Sequence, residues 1–399
     1  MSYVNLDTCK EYNIETIEGI LAKQFEKSGV FDRITPGVKV ALKLNLVAPM
    51  KPDTAGTTHP AVIEAMCKLL IERGAKVVMG DSPGGPFNVA YLKGVYHICG
   101  LNEICERTGA EVNNDFSQKD VFFENGVIAR NITVTNWLLE ADLIINCCKL
   151  KTHGMMGMSA AVKNMFGSIP GTMKPEYHFR FPRQSDFANM LIDIQEFWKD
   201  KMVCHVVDGI VGMEGNGPTA GKPRAIGVLI SGVNPYDVDL ICGRIIGLEC
   251  GDVLTMSEAN KRGLGKSSAD EVEVFRNDYI CNGTEADLHD LIIPDFDLLD
   301  NKADLQFGGN GIISKIRGKV IATAMSSRPK VNPDECIGCR KCEQICPAKA
   351  IVMKNVGETQ NEIPCIDRSK CIKCFCCQEF CPKGAMKVKR TAIARLLAH

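Results

Sequence analysis

The chain has 399 residues, a hydrophobic content of 45% and a formal net charge of −1, so it can form two or three domains and bury a large core. This balance provides neither a global basic field for nucleic acid nor an acidic tail. The N-terminus shows no signal-peptide core, and no apolar run approaches about 18 residues. We therefore expect a cytoplasmic protein with no nucleic-acid or membrane partner, whose 20 cysteines stay reduced.

Apolar runs of strand character alternate with runs of helical spacing through about the first 300 residues. The predicted strands lie at 37–49, 75–81, 141–153, 201–212 and 224–232, and the predicted helices at 59–74, 159–169 and 187–200. The strands lack period-2 alternation, which is typical of parallel strands that are covered on both faces. We predict an α/β fold with a mostly parallel sheet and helices on both faces. In such sheets, ligands bind beyond the carboxyl ends of the strands.

The sequence changes character toward its C-terminal end. From about residue 255 to residue 330 it is less regular and more polar, and a cysteine-rich module follows. We place a domain boundary near Met325, with an α/β domain at 1–325 and a small α+β domain at 326–399. A division of the first domain into two subdomains stays open.

The cysteine-rich module contains the pattern C-x2-C-x2-C-x3-C-P twice, from Cys336 to Pro347 and again from Cys371 to Pro382. In this pattern three cysteines bind one [4Fe–4S] cluster, and the fourth ligates the other cluster. The alternative is a structural zinc site, but zinc gives no reason for the third close cysteine or for the duplication. The predicted ligands are Cys336, Cys339, Cys342 and Cys381 for the first cluster, and Cys371, Cys374, Cys377 and Cys346 for the second.

Over residues 328–390 the module resembles the bacterial two-cluster ferredoxins. This resemblance implies a small ferredoxin-like α+β domain that carries two [4Fe–4S] clusters and transfers electrons one at a time. Cys365 and Cys376 fall outside the repeated pattern, and we interpret them as bystanders near the clusters.

Several short motifs follow one another in the large domain. They are K-L-N-L-V at 43–47, T-H-P at 58–60, G-D-S-P-G at 80–84, K-L-K-T-H at 149–153, A-V-K-N-M-F-G at 161–167 and V-D-G-I-V-G-M-E-G-N-G-P at 207–218. Together these motifs resemble a bacterial and archaeal family called domain of unknown function 362. Its members often carry ferredoxin modules, so the resemblance implies an iron–sulfur protein but no particular reaction.

Positive charge accumulates between Lys149 and Arg183, where six Lys or Arg residues accompany one acidic residue, Glu176. The segment begins where a predicted strand ends, so we interpret it as a basic pocket for a small carboxylate or phosphate. A solvated basic face is the alternative. The cationic candidates are Lys149, Lys151, His153, Lys163, Lys174, His178 and Arg180.

Further candidates for substrate binding come from the neighbouring motifs. Asp81 either binds a ligand hydroxyl or caps the next segment, and Asp208 or Glu214 acts as an acid/base or as a turn residue. His59 is either a ligand contact or a residue at a helix start, and we favour the helix start. The loop at 214–223 does not satisfy the P-loop pattern, because Pro223 occupies the position of its hydroxyl residue. The substrate-binding set is Lys43, Asn45, Asp81, Lys151, Asn164, Lys174, Arg180 and Glu214.

The offsets between His153, Lys163 and His178 are similar to those around the nickel-pincer cofactor of the lactate racemase family. In that family the lysine carries a pyridinium cofactor, and histidines bind nickel or act as acid and base. The resemblance implies that these three residues face one pocket, and we take them as the catalytic candidates.

Three functions are compatible with these patterns. The first is an iron–sulfur oxidoreductase that reduces a small anionic substrate and receives electrons from a ferredoxin or flavodoxin. The second is an electron-transfer adapter whose basic segment docks a partner redox enzyme. The third is a racemase-like enzyme with a cofactor bound to lysine. Nickel or an additional organic cofactor is not expected, although both stay open, as does a homo-oligomer.

Overall fold

The computed structural model describes residues 3–299, 328–355 and 362–389. The predicted boundary near Met325 lies outside the described residues, so the division between 325 and 326 stays a prediction. In these ranges no helix has the length and apolar character needed to cross a membrane.

Sixteen strands, labelled in chain order, occur in the described ranges. They are β1 Val4–Thr8, β2 Lys39–Lys43, β3 Lys76–Gly80, β4 Glu111–Val112, β5 Gln118–Phe122, β6 Asn131–Thr135, β7 Leu143–His153, β8 Gly157–Ser159, β9 Met202–Glu214, β10 Lys222–Gly232, β11 Glu273–Arg276, β12 Tyr279–Asn282, β13 Arg328–Val331, β14 Ile351–Lys354, β15 Ile363–Ile366 and β16 Met386–Lys389.

The α-helices of the same ranges are labelled likewise. They are α1 Ile14–Lys27, α2 Val30–Arg33, α3 Pro60–Ile71, α4 Val89–Ile98, α5 Leu101–Thr108, α6 Asn136–Leu139, α7 Ala161–Asn164, α8 Lys174–Arg180, α9 Gln184–Phe197, α10 Pro235–Ile245, α11 Leu254–Lys261, α12 Glu285–Leu288, α13 Lys341–Gln344 and α14 Cys376–Glu379.

One large sheet organises the α/β domain in the order β12-β11-β1-β10-β9-β7-β2-β3-β4, with β8 beside β7. The strands from β9 to β4 in this order are parallel to one another. Along β2, Val40 and Leu42 join the core under α1 and α3, whereas Ala41 joins the core that contains α9. Both faces of the central strands are therefore buried, and the predicted α/β fold with a mostly parallel sheet is confirmed.

The other half of the sheet departs from an all-parallel arrangement. β9 and β10 pair antiparallel, although both appear in the sequence as ordinary members of a parallel sheet. Only the loop 215–221 connects them, and a parallel pair needs a crossover of about a dozen residues or more. The short loop therefore forces a hairpin, whose tip extends past the carboxyl ends of the parallel strands.

A buried charge network joins the N-terminal segment to the centre of the sheet. Lys149 Nζ lies 2.8 Å from Asp208 Oδ2, and the Tyr12 hydroxyl donates to Asp208 Oδ1 at 3.0 Å. The backbone amide of His59 donates to the same carboxylate at 3.0 Å. His59 is the N-cap of α3, and its Nδ1 accepts from the Ala61 amide at 3.2 Å. The interpretation of His59 as a helix-start residue is therefore confirmed.

We expect Asp208→Ala to lower the free energy of unfolding by about 3–5 kcal/mol, because it leaves the Lys149 ammonium buried without its partner. Tyr12→Phe removes a single hydroxyl from the same network and should cost about 1 kcal/mol. Both tryptophans of the chain, Trp137 and Trp198, are buried in the α/β domain, so their fluorescence in an anaerobic urea titration measures its unfolding. Equal losses in the two variants would contradict the assignment of the main cost to the unpaired lysine.

Candidate functional site

A cavity of about 430 Å³, called the inner cavity, lies where β2, β3 and β7 end. Seven of the residues predicted from the sequence line it, namely Asn45, Asp81, Lys151, His153, Lys163, Asn164 and Lys174. The lining also contains seven residues that were not predicted, namely Val47, Gly84, Ser159, Phe166, Gly167, Pro218 and Glu379. The position beyond the carboxyl ends of parallel strands is the one expected for a ligand site of an α/β sheet.

Asp81 holds the floor of the inner cavity together. Its Oδ1 lies 2.7 Å from Lys43 Nζ, and its carboxylate accepts from the backbone amides of Leu46 at 2.7 Å and Ser82 at 2.8 Å. Gly167 packs directly on this ion pair, and a Cβ there would overlap both side chains. Asp81 therefore joins the segments that follow β2 and β3 and also lines the inner cavity, while Lys43 lies behind it.

A chain of buried amide side chains forms the next part of the wall. Asn45 Nδ2 donates to Asn164 Oδ1 at 2.7 Å, and Asn164 Nδ2 donates to Asn146 Oδ1 at 2.7 Å. Asn146 Nδ2 lies 2.9 Å from His205 Nδ1. The side-chain oxygen of Asn45 is buried and has no hydrogen-bond partner in the part of the chain that the structure describes. This oxygen is available to accept a hydrogen bond from a ligand.

Three lysines line the inner cavity under different constraints. Lys151 Nζ donates to the Gly56 carbonyl at 2.7 Å, and Lys174 Nζ donates to the Ser82 carbonyl at 2.5 Å. Burial is the main cause that lowers the pKa of Lys151 to about 7 and that of Lys174 to about 8. The cost of burying these ammonium groups falls when an anion enters the cavity.

None of the three has a carboxylate of the described residues within ion-pair distance. Lys163 differs from the other two, because its Nζ makes no hydrogen bond with a carbonyl of these residues. The Nζ atom lies 4.9 Å from the centre of the Phe166 ring, and Lys174 Nζ lies 5.3 Å from it. Burial lowers the pKa of Lys163, and the nearby Glu379 raises it in part. The Lys163 side chain is therefore suited to meet an anion or a proton acceptor.

His153 lines the inner cavity, and its Nδ1 accepts from the amides of Met155 at 3.1 Å and Met156 at 3.3 Å. Burial and the charge of Lys163 hold its pKa well below the ordinary value, so the ring is neutral and carries its proton on Nε2. His178 does not line the cavity. It stacks on Phe187 at 4.3 Å between ring centres, and burial lowers its pKa to about 3.

The structure does not bring the remaining predicted residues to the inner cavity. Arg180 is partly exposed, lies 3.9 Å from Glu176 and packs near the rings of Tyr177 and Phe181. Glu214 accepts from the Asp297 amide at 3.1 Å at the end of β9. Lys149 is buried in the Asp208 network described above. These positions follow from tertiary packing, because the basic residues between 149 and 183 belong to several different elements.

The cysteine-rich module supplies a wall of the inner cavity through α14. Gln378 Nε2 donates to the carbonyl oxygens of Asn216 at 3.0 Å and Gly217 at 2.9 Å, at the tip of the β9–β10 hairpin. Thr219 Oγ1 donates to the Glu379 carbonyl at 2.7 Å. The Phe380 ring packs against Gly84, where a Cβ would overlap it. These contacts hold the Glu379 side chain in the cavity lining.

The predicted ligands of the first cluster lie around one space. Cys336, Cys339, Cys342 and Cys381 all line a cavity of about 360 Å³, whose other walls are mainly apolar. No three His, Cys, Asp or Glu side chains among the described residues converge closely enough to hold a single metal ion. The four thiols surround a space, and this donor set fits an iron–sulfur cube.

The predicted ligands of the second cluster also lie near one another. Cys377 is close enough to Cys374, Cys371 and Cys346, and also to Cys342 of the first set, for their charges to raise its pKa further, after the larger effect of burial. Burial raises the pKa of Cys371 as well, and the charges of Cys374 and Cys346 raise it further. The four thiols therefore form a second donor set that fits a cluster, and Cys377 lies on α14, two residues before Glu379.

The two cysteines outside the repeated pattern lie in different surroundings. Cys365 is exposed on β15, and Cys376 is buried at the start of α14. Cys376 is close enough to Lys163 to affect its pKa. Cys376 therefore lies near the inner cavity, next to Cys377 of the second donor set.

Glu379 and Pro218 line the inner cavity, although neither was predicted from the sequence as a site residue. Glu379 lies within the second cysteine pattern, but no local signal relates it to strands more than 200 residues earlier. Asn146 and His205 were also missed, because both lie inside continuous apolar strands. A polar residue inside a buried strand is the signal that points to them.

The thiol arrangement defines an iron–sulfur protein, and residues 335–385 match a family model described as a 4Fe-4S dicluster domain. Such domains support electron transfer. Residues 40–244, about half of the chain, match the family described as Domain of unknown function (DUF362). The chain belongs to this family, and the resemblance based on its motifs is confirmed.

A thylakoid-associated protein of Synechocystis sp. is 30% identical over 247 residues, which cover 61% of this chain and 73% of that protein. Among solved structures, the lactate racemase apoprotein of Thermoanaerobacterium thermosaccharolyticum is 11% identical with a TM-score of 0.40, over 61% of this chain and 57% of that one. A Thermotoga maritima protein is 16% identical with a TM-score of 0.35, over 55% of each chain. The chain thus spans less than two thirds of either structure, and these distant likenesses support no inference about chemistry.

We expect the anaerobically purified protein to contain about eight iron atoms per chain, as two cubes require. Cys374→Ala should lose about half of this iron, because it removes a ligand of the second cluster. Cys365→Ala is the matched control and should keep all of it. Iron and acid-labile sulfide assays measure the outcome, and equal iron contents in the two variants would refute the ligand assignment.

Anion affinity of the inner cavity should fall as the pH rises from 6 to 9. The pKa values of Lys151 and Lys174 are about 7 and 8, so each lysine loses its positive charge in this window. Sulfate is a suitable probe in anaerobic calorimetry, because its own charge is constant in this range. Lys174→Gln should weaken sulfate binding at pH 6 by about tenfold or more.

The exposed Lys199 provides the control for this titration, since Lys199→Gln should leave sulfate binding unchanged. A sulfate affinity that is independent of pH in the unmodified protein would contradict the role of the cavity lysines.

Proposed function

We propose that the protein is an iron–sulfur oxidoreductase that passes low-potential electrons through two [4Fe–4S] clusters to a small anionic substrate in the inner cavity. The observation that carries this proposal is the position of α14. This helix contains Cys377, a predicted ligand of the second cluster, and also Glu379, which lines the inner cavity together with Lys163. A substrate in the cavity would lie close to an electron source, as single-electron transfer over short distances requires.

The charges of the inner cavity support an anionic substrate. Asp81 is already neutralised by Lys43, so Lys151, Lys163 and Lys174 face one other carboxylate of the lining, Glu379. Lysines at the ends of parallel strands bind carboxylates and phosphates as point charges. The unpartnered oxygen of Asn45 adds an acceptor for a hydroxyl or amide of the same ligand.

The chain's own groups would orient the substrate and supply protons. When bound, the clusters supply electrons one at a time at low potential. Burial lowers the pKa of Lys163, which favours loss of its proton to an acceptor, and neutral His153 carries a proton on Nε2. Either group can donate a proton to a substrate atom as negative charge develops on it. The module closes the cavity on one side and limits the access of water.

Electrons would enter at the first cluster. Cys339 is exposed, and Ile337 is 50% exposed beside it. Lys341 and Lys383 line the same cavity and give this face positive charge. A ferredoxin or flavodoxin with an acidic surface would dock here, and its binding would weaken with salt. We further propose a cytoplasmic location in an oxygen-poor cell, because an exposed cluster tolerates oxygen badly.

Burial of the basic residues favours the enzyme over the electron-transfer adapter. The adapter interpretation needs Lys149 and Lys151 at a docking surface, whereas each is 1% exposed. The racemase-like alternative instead requires nickel or an additional covalent mass on Lys163. Mass spectrometry of the anaerobically purified and denatured protein would detect that mass or a released flavin or nucleotide.

Lys163→Ala should lower turnover by about 10²- to 10⁴-fold while the clusters stay intact, because it removes a charge and a proton donor from the reacting centre. The measurement is the anaerobic reoxidation of chemically reduced protein by a panel of small organic anions, followed by the visible absorbance of the clusters. Lys199→Ala at an exposed position is the control. The proposal fails if no anion reoxidises the protein, or if the Lys163 variant reacts as fast as the control.

A further inference from the structure

A second cavity, called the outer cleft, lies between the α/β domain and the cysteine-rich module. Its volume is about 1330 Å³, and Val47, Gly84 and Glu379 line both it and the inner cavity. The two spaces therefore adjoin each other at these three residues, and we call this shared wall the neck. Cys381, a predicted ligand of the first cluster, lines the outer cleft as well.

The walls of the outer cleft differ from those of the inner cavity. Both domains contribute apolar side chains, and the lining contains Ala48, Pro49, Met50 and Tyr91 on one side and Ile345 and Phe380 on the other. Lysines and amides dominate the inner cavity, whereas Lys341 is the basic residue of this cleft among the residues that the structure describes. The inner cavity thus suits a charged group, and the cleft beside it suits a hydrocarbon or aromatic group.

Glu379 at the neck limits which ligands can occupy both spaces. A carboxylate in a partly buried site repels a second negative charge nearby. The part of a ligand that passes Glu379 is therefore expected to be uncharged, while the part beyond it meets Lys151, Lys163 and Lys174. This arrangement selects a molecule with its negative charge at one end.

From this geometry we infer that the substrate is a monopolar organic anion, with a carboxylate or phosphate head in the inner cavity and an apolar acyl or aromatic body in the outer cleft. The inference rests on the proposed function, because it assigns the substrate class of the same site. The outer cleft, which would hold the apolar part of the substrate, lies at the interface of the two domains. Binding of the body would therefore contact the electron-transfer module as well as the sheet.

The experiment compares straight-chain carboxylates from acetate to octanoate, bound to the anaerobic, cluster-loaded protein and measured by saturation-transfer NMR titration. We expect the affinity to rise by about fourfold for each methylene that enters the cleft. The matching alcohols should bind far more weakly, because they lack the charge that the lysines require.

Two variants locate the effect. Ala48→Trp narrows the outer cleft, so the dependence on chain length should weaken while acetate binds as before. Val127→Trp, at a residue that is 58% exposed in the β5–β6 turn, should keep the full dependence. Ala48→Leu adds less volume to the outer cleft than Ala48→Trp does. It replaces the tryptophan variant if that variant loses iron.

The outcomes separate this inference from the proposed function. If acetate binds but octanoate binds no more tightly, or if the Ala48 variants keep the chain-length dependence, the apolar body is refuted and the anionic site stands. If none of the carboxylates binds, both the inference and the proposed anionic substrate fail.

Discussion

One buried ion pair, between Lys43 and Asp81, supports the geometry of the whole inner cavity. Because Asp81 also accepts hydrogen bonds from the amides that follow β2 and β3, its charge keeps the two strand ends together. Gly167 allows a third segment to pack on the pair without a side chain. A buried charge without its partner is strongly destabilising, so these three segments can be held in place only while both charges are present.

The buried lysines of the inner cavity lower the stability of the folded protein, but they are suited to bind an anion. Burial disfavours their charged forms, which is why the pKa values of Lys151 and Lys174 fall toward neutrality. An anion that enters the cavity offsets this cost. In the proposed complex, the energy that destabilises the empty cavity would contribute to the affinity for an anion.

The position of the cysteine-rich module determines whether the cavity and the clusters can act together. The hairpin of β9 and β10 extends beyond the sheet, and its tip accepts hydrogen bonds from Gln378. This contact places α14 over the lysines, so that Cys377 and Glu379 face two different sites from one helical turn. It also creates the boundary between the two domains along which the outer cleft runs. The hairpin that departs from a parallel sheet is thus the element that joins the two domains at the cavity.

The sequence alone determined the features that depend on local spacing. The intervals between cysteines indicate the ligand pattern, and apolar runs such as the one in Leu143–His153 indicate the buried strands and the lysines near their ends. Tertiary structure decided the features that depend on distant pairs. It placed Glu379 in the cavity and kept Arg180 outside it, because contacts such as that between Asn216 and Gln378 join residues far apart in the chain. Local periodicity carries no information about such pairs, so only the packed fold could assign them.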